Sequence, residues 1–231
     1  MSHYAVAVFS DDGNFDRLLA PYDENNKKEF EFVQVDYQKI VDEFERFKKR
    51  NPKWTLKMYI EDCHYFQKDG VWGYEYNPHG YWDWYSLDGR DYLFDVRDDV
   101  IENPESDEWF GYYRKSDYDW YPQCDSREQK DNAKFWDEFV IGGKEDGYPS
   151  LWNRDYYFER YRTKEQFMKE MERTIPYAFI TPDGVWHSAG RVGWFATSNE
   201  TAEDADRYAK EWDEWIASDV NPYVSLVDCH I

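Results

Sequence analysis

The chain has 231 residues, 49 acids against 28 bases and a formal net charge of −21, and Trp, Tyr and Phe supply 21% of it. A field of that sign repels phosphate backbones and argues against direct nucleic-acid binding, while the ring content argues against a disordered acidic tail. Cys63, Cys124 and Cys229 form no C-x-x-C pair, and no apolar run approaches the roughly 18 residues of a membrane span. Reduced thiols, a cytoplasmic setting, no membrane contact, no metal and no cofactor are therefore expected.

Residues 4–10 (YAVAVFS) are β-branched and aromatic and stop at Asp11, Asp12 and Gly13, which predicts a buried strand closed by a turn. Asn14 then caps a short helix over FDRLLAPY that Pro21 limits. Residues 29–37 (EFEFVQVDY) alternate polar with apolar side chains, the period of a half-buried strand. From about 36 to 50, Ile40, Val41, Phe44 and Phe47 recur at helical spacing before Asn51 and Pro52. A strand is expected over 57–65, then a turn at 67–70 (QKDG) and a strand over 71–76.

Residues 77–161 hold six of the twelve tryptophans, many aspartates and little periodicity, and read as an irregular insertion. Within it, 131–140 is expected to form a helix presenting Phe135, Trp136 and Phe139. Regularity returns at Thr163, where T-K-E-Q matches a capping box ahead of Phe167, Met168 and Met171. Residues 177–180, the T-P-D-G turn and residues 185–188 give the strongest hairpin signal, since Pro182 fixes φ at one corner and Gly184 accepts a left-handed one. Thr201 (T-A-E-D) opens the longest helix, with a buried stripe of Ala205, Tyr208, Ala209, Trp212, Trp215 and Ile216, and 223–231 is a terminal strand.

This order predicts one domain over 1–231 of α+β class, with the irregular aromatic-rich insertion at 77–161. Its sheet is expected to be mostly antiparallel and ferredoxin-like, with the last strand beside the first and helices on one face.

No phosphate loop, G-x-G-x-x-G, H-E-x-x-H or G-x-S-x-G occurs, so no enzyme class is assigned. The phrase D-C-H stands at 62–64 and 228–230, but neighbouring strand residues point to opposite faces, which argues against a shared zinc site. Two clusters carry more. In 77–90 (NPHGYWDWYSLDGR), alternation places Trp82 and Trp84 on one side and Asp83 on the other, a flat π surface near an acceptor that suits a base, a sugar or a cation. In 176–195, a hairpin carries Trp186, His187, Arg191 and Trp194, and His187 is the residue best suited to proton transfer near neutral pH. Core packing for the rings and a hydrogen-bonded structural role for His187 are the plainer alternatives.

These clusters and the termini also carry a resemblance. The opening HYAVAVFS with LLAPYDEN, the N-P-x-x-x-W-D-W-Y block, the P-Y-A-F, P-D-G-x-W-H and G-W-F phrases and the V-D-C-H-I ending occur in this order. In them the chain resembles a widespread family of uncharacterised phage and prophage proteins. The family's block runs into G-G-R-W, where this chain has Asp88, Gly89, Arg90 and Asp91. The resemblance implies a phage-encoded protein acting in a bacterial host cytoplasm and, by analogy with small acidic phage accessory proteins, antagonism of host defence.

The favoured function is binding of a small nucleotide-like ligand in an aromatic pocket. Trp82, Trp84, Trp186 and Trp194 would clamp it, Arg90 and Arg191 meet phosphate, and Asp83 meet a base or ribose, with His187 alongside. The alternatives are an acidic inhibitor or DNA mimic that binds a basic host defence protein, and a hydrolase using His187 with Asp83. Self-association stays open.

Overall fold

A computed structural model describes residues 2–102, 112–121, 126–148, 153–171, 173–191 and 200–231. The chain divides into two compact units, one of residues 1–19 and 84–231 and the other of residues 20–83. The expected insertion at 77–161 spans that division. The fold is α+β, with mostly antiparallel sheets. Among the described residues no helix is long and apolar enough to cross a membrane.

The larger unit opens with β1 (His3–Ser10) and α1 (Phe15–Leu19), whose first turn is capped as expected: Asn14 Oδ1 accepts the Arg17 N–H at 3.1 Å. The smaller unit then contributes β2 (Glu31–Gln34), α2 (Tyr37–Lys48), α3 (Leu56–Asp62), β3 (Phe66–Lys68) and β4 (Val71–Tyr76). Asp36 caps α2 by accepting the Gln38 N–H at 2.8 Å, and Ile40 and Phe44 are its buried residues. The β3–β4 loop is Asp69 and Gly70, both left-handed with φ of 52° and 81°, as a two-residue hairpin turn requires. The strand expected over 57–65 is instead helix α3. Thr55 accepts the Met58 N–H at 3.3 Å, and Tyr59 packs on Phe44 and Phe47 at 5.8 and 5.3 Å, so a cap and one packed face override strand propensity.

The larger unit resumes with β5 (Trp84–Ser86), β6 (Asp95–Val96), α4 (Asp98–Glu102), β7 (Tyr118–Asp119) and α5 (Ser126–Phe135), which runs into a π-helix (Trp136–Ile141). It continues through α6 (Arg154–Tyr161), α7 (Lys164–Met171), β8 (Ala178–Ile180), β9 (Trp186–Ser188), α8 (Ala202–Ala217) and β10 (Tyr223–His230). Its main sheet has the order β5-β10-β1-β8-β9. The last strand lies beside the first, antiparallel from His3 opposite His230 to Ser10 opposite Tyr223. The ferredoxin-like expectation meets one difference: β8, not β9, adjoins β1, and that pair is parallel. Val6, Ala7, Val8 and Phe9 are all fully buried, so both faces of β1 are covered where helices on one face were expected. An unbroken apolar run, rather than alternation, is the sequence form of such a strand.

On one face, Tyr208 and Trp212 of α8 pack with Phe94 and Trp120 over Ala7, Phe9, Phe179 and Leu226. The rings meet edge to face, Trp120 with Trp212 at 5.4 Å and Phe179 with Trp212 at 5.5 Å. Such pairs contribute roughly 0.5–1.5 kcal/mol beyond the area they bury. The predicted box starts α8: Thr201 accepts the Asp204 N–H at 3.2 Å, and the Asp204 carboxylate accepts the Thr201 N–H at 3.1 Å. At its other end, buried Lys115 donates to Trp215 O, Ser218 O and Ser218 Oγ at 2.8–2.9 Å, satisfying carbonyls that a helix end leaves without partners. A second apolar cluster joins Trp136, Phe139 and Val140 of the π-helix to Tyr161 and Phe167, so the helix expected over 131–140 does turn its rings inward.

Candidate functional site

Within the larger unit, Trp84 and Arg90 do not converge with Trp186 and His187. Trp82 and Asp83 belong to the smaller unit, where Trp82 is buried and Asp83 exposed. Strand β5 begins only at Trp84, so the period-two alternation does not extend back to Trp82. Trp84 is 53% exposed and stands in a cross-strand row with His230 and His3. Arg90 lies on the same edge, its Nε and Nη2 both donating to Asp228 Oδ1 at 2.9 and 2.8 Å, while His3 Nδ1 meets Asp228 Oδ2 at 3.0 Å. Trp186 and His187 lie on β9, the opposite edge. Four interstrand spacings, about 19 Å, separate the two edges. The expected common clamp of Trp84 and Arg90 with Trp186 and His187 is therefore corrected: sheet order, which the residues do not spell out, keeps them apart. Arg191 is exposed, and Trp194 lies outside the described residues.

His187 is held rather than free. Its ring stacks on Phe179 at 4.4 Å with 4° between the planes, and Nδ1 meets Glu211 Oε2 at 3.2 Å. Burial alone would raise the Glu211 carboxyl, but hydrogen bonds from Arg207 and His187 outweigh it and leave the value lowered. Asp83, the hydrolase partner expected for His187, is exposed in the smaller unit, and within the larger unit the carboxylate that meets His187 is Glu211.

The larger candidate is a cavity of about 580 Å³ bounded by the end of α6, one face of α7, residues 173–177 and α8. Four bases reach it: Arg160, Lys169, Arg173 and Lys210. Gln166, Lys169 and Glu170 recur at helix spacing along α7, so one face of that helix supplies them. Ala205 and Ala209, expected in the stripe against the sheet, line this cavity instead, and their small side chains leave it open. Tyr161 and Tyr208 add ring surface. The Tyr208 hydroxyl donates to Pro176 O at 2.6 Å, and burial raises Tyr161 to about 12.

Acids balance the bases. Arg160 pairs with Glu200 and lies 3.9 Å from Glu170, and Arg173 pairs with Asp213. Burial alone would lower the Arg160 guanidinium, but Tyr161, Glu200 and Tyr156 outweigh it and the value is raised, so its charge is secure. The Arg160 Nε is buried with no acceptor among the described residues. Glu170 is raised by burial against the opposing pull of Arg160, with Asp206 adding to the rise. The wall thus offers fixed cations, carboxylates and a carboxyl that holds its proton more firmly than usual, a set that suits a ligand with an anionic end and hydrogen-bonding groups.

These residues carried a signal that ring-centred reasoning passed over: Arg160, Arg162, Lys164, Lys169 and Arg173 fall within fourteen residues of a chain with 28 bases in all. Among the described residues no group of three or more His, Cys, Asp or Glu is placed to hold a metal ion, and the first D-C-H phrase ends helix α3 rather than a strand. Comparison with protein-family models, with curated proteins and with solved structures finds no match to this chain.

Proposed function

We propose that the chain binds a small nucleotide-like ligand in the cleft between α6, α7 and α8 and holds it without chemistry. The observation that carries this is the convergence of Arg160, Lys169, Arg173 and Lys210 on one cavity in a chain of net charge −21. A volume of about 580 Å³ falls within the range of small-molecule sites, roughly 300–1,000 Å³. Phosphate meets the bases, and Glu170 and Asp206 take ribose hydroxyls or exocyclic amines. In the bacterial cytoplasm that the phage resemblance implies, sequestering such a ligand antagonises a defence that signals with it.

Calorimetry against mononucleotides and cyclic dinucleotides tests the proposal. Lys169→Met with Lys210→Met, both exposed positions, should weaken binding about tenfold and flatten its salt dependence. Mass analysis after incubation should return the ligand intact. Silent titrations with folded protein, or hydrolysed ligand, overturn it.

A further inference from the structure

We propose that a second cleft, beside the β8–β9 hairpin, docks a basic side chain of a protein partner. This cleft, about 520 Å³, has an apolar wall of Pro182, Val185, Trp215 and Val220. Val185 and Val220 are 46% and 48% exposed, so their methyl groups are open to a docking side chain. Asp11 and Asp183 add two carboxylates, the second positioned by the Thr181 hydroxyl at 2.6 Å. Among the described residues no Lys or Arg lines the cleft. His187 does, but its Nδ1 is engaged by Glu211, and nearby Arg207 is bound to Glu211 and to Ser188 O.

Charge complementarity then selects the occupant. A hydrocarbon stem fits the valines and Trp215, and a cationic head at its tip fits Asp11 and Asp183, which together describe an arginine or lysine side chain. A phosphate or an acidic peptide meets repulsion from the two carboxylates. The cleft adjoins β9, the edge strand of the sheet, so a partner chain reaches it without displacing a neighbouring strand among the described residues. This inference is independent of the helical cleft and survives if that cleft binds nothing.

The probe is the peptide acetyl-Val-Arg-Leu-Val-amide, with counterparts carrying norleucine or glutamate in place of arginine, followed by amide chemical shifts of Thr181, Asp183 and Val185. The arginine peptide should move these amides at about 1 mM, and added salt should reverse the effect. Asp11→Asn with Asp183→Asn should weaken binding about tenfold, and Asp11→Asn alone, remote from the turn, should weaken it several-fold. Equal binding of the norleucine peptide, equal affinity in the Asp11→Asn variant, shifts produced by a single-stranded oligonucleotide, or no shift with the arginine peptide would each overturn the proposal.

Discussion

Helix α8 separates two clefts of opposite character. Toward α6 and α7 it presents Ala205, Ala209, Lys210 and Asp213 to a cavity that bases enter from the other walls; toward the hairpin it presents Trp215 to a cleft of valines and carboxylates. Tyr208 and Trp212 fix it on the sheet, and Trp215 continues that stripe against Phe9. With 3.6 residues per turn, Ala205, Ala209 and Asp213 flank the stripe on one side, so the helical cleft lies beside the sheet-facing stripe and the hairpin cleft at its C-terminal end. Net charge therefore says little about any one site here: at physiological salt a charge is felt over about 8 Å, so recognition is set by the few groups lining each wall.

The comparison breaks first at the shared face. Trp212 is fully buried and touches Phe9, Phe94, Trp120 and Phe179, so Trp212→Ala should cost about 3–5 kcal/mol and abolish both clefts together. Trp84→Ala, at a half-exposed ring on the far edge, should cost about 0.5 kcal/mol or less. Trp212→Phe should fall between them, because the Trp212 indole N–H is buried with no acceptor among the described residues and its removal relieves a cost. Urea midpoints decide it, and equal losses at positions 212 and 84 would contradict the placement of the core.

Lys115 sharpens the contrast by touching one side only. Its ammonium serves three acceptors at the end of α8, next to the hairpin cleft. Lys115→Met should cost about 1–3 kcal/mol, since those acceptors lose their donor. Hydrogen exchange should quicken at 215–220 while the amides of α7 keep their protection. Equal acceleration at both places would mean that the two clefts are not independently supported.

How much of this was legible follows from where the information sits. Local signals were written in single residues: Asn14, Thr163 and Thr201 each accept the N–H expected of a cap, and Gly184 is left-handed with φ of 84°. Helix α3 was missed because Tyr59 and Ile60 favour a strand in isolation, and the Thr55 cap together with packing against α2 turned the balance. The candidate site was harder. Trp84 and Trp186 look alike in sequence, yet strand order puts them on opposite edges, and strand order depends on contacts between distant segments. Arg160 and Glu170 gain their character from burial and from α8, which no local window contains.

Glu170 acts on the helical cleft alone. Burial holds its carboxyl above the ordinary glutamate value, so the folded chain keeps that proton to higher pH than the unfolded chain does. Stability then declines as pH rises from the ordinary value through the raised one, and the loss is complete above it. Glu170→Gln should remove this decline, leaving stability unchanged in acid and improved at neutral pH. Urea midpoints across that range should differ between wild type and variant with this sign; a parallel pair of curves would show that the carboxyl is not desolvated in the cleft.

A modest effect is expected away from both clefts, at Asp88. The backbone there is left-handed, with φ of 54°, a conformation that favours glycine and that aspartate and asparagine tolerate. The residue as a whole is exposed, but its carboxyl turns toward Ser225, whose hydroxyl donates to it at 2.8 Å, and partial desolvation raises its pKa. Asparagine tolerates the same backbone and still accepts from Ser225 while carrying no charge. Asp88→Asn should therefore be slightly stabilising at neutral pH, a gain kept small by solvent screening at this exposed residue, and the advantage fades as pH falls below the ordinary aspartate value, where Asp88 is protonated in both states. Asp88→Ala should instead cost about 1 kcal/mol, because it removes the acceptor of the Ser225 hydroxyl and the short polar side chain that eases the left-handed conformation. Ligand and peptide affinities should stay at wild-type values in both variants, because neither cleft includes this turn. A binding defect in Asp88→Asn would tie the β5 edge to one of the clefts and undo the division of labour assigned to α8.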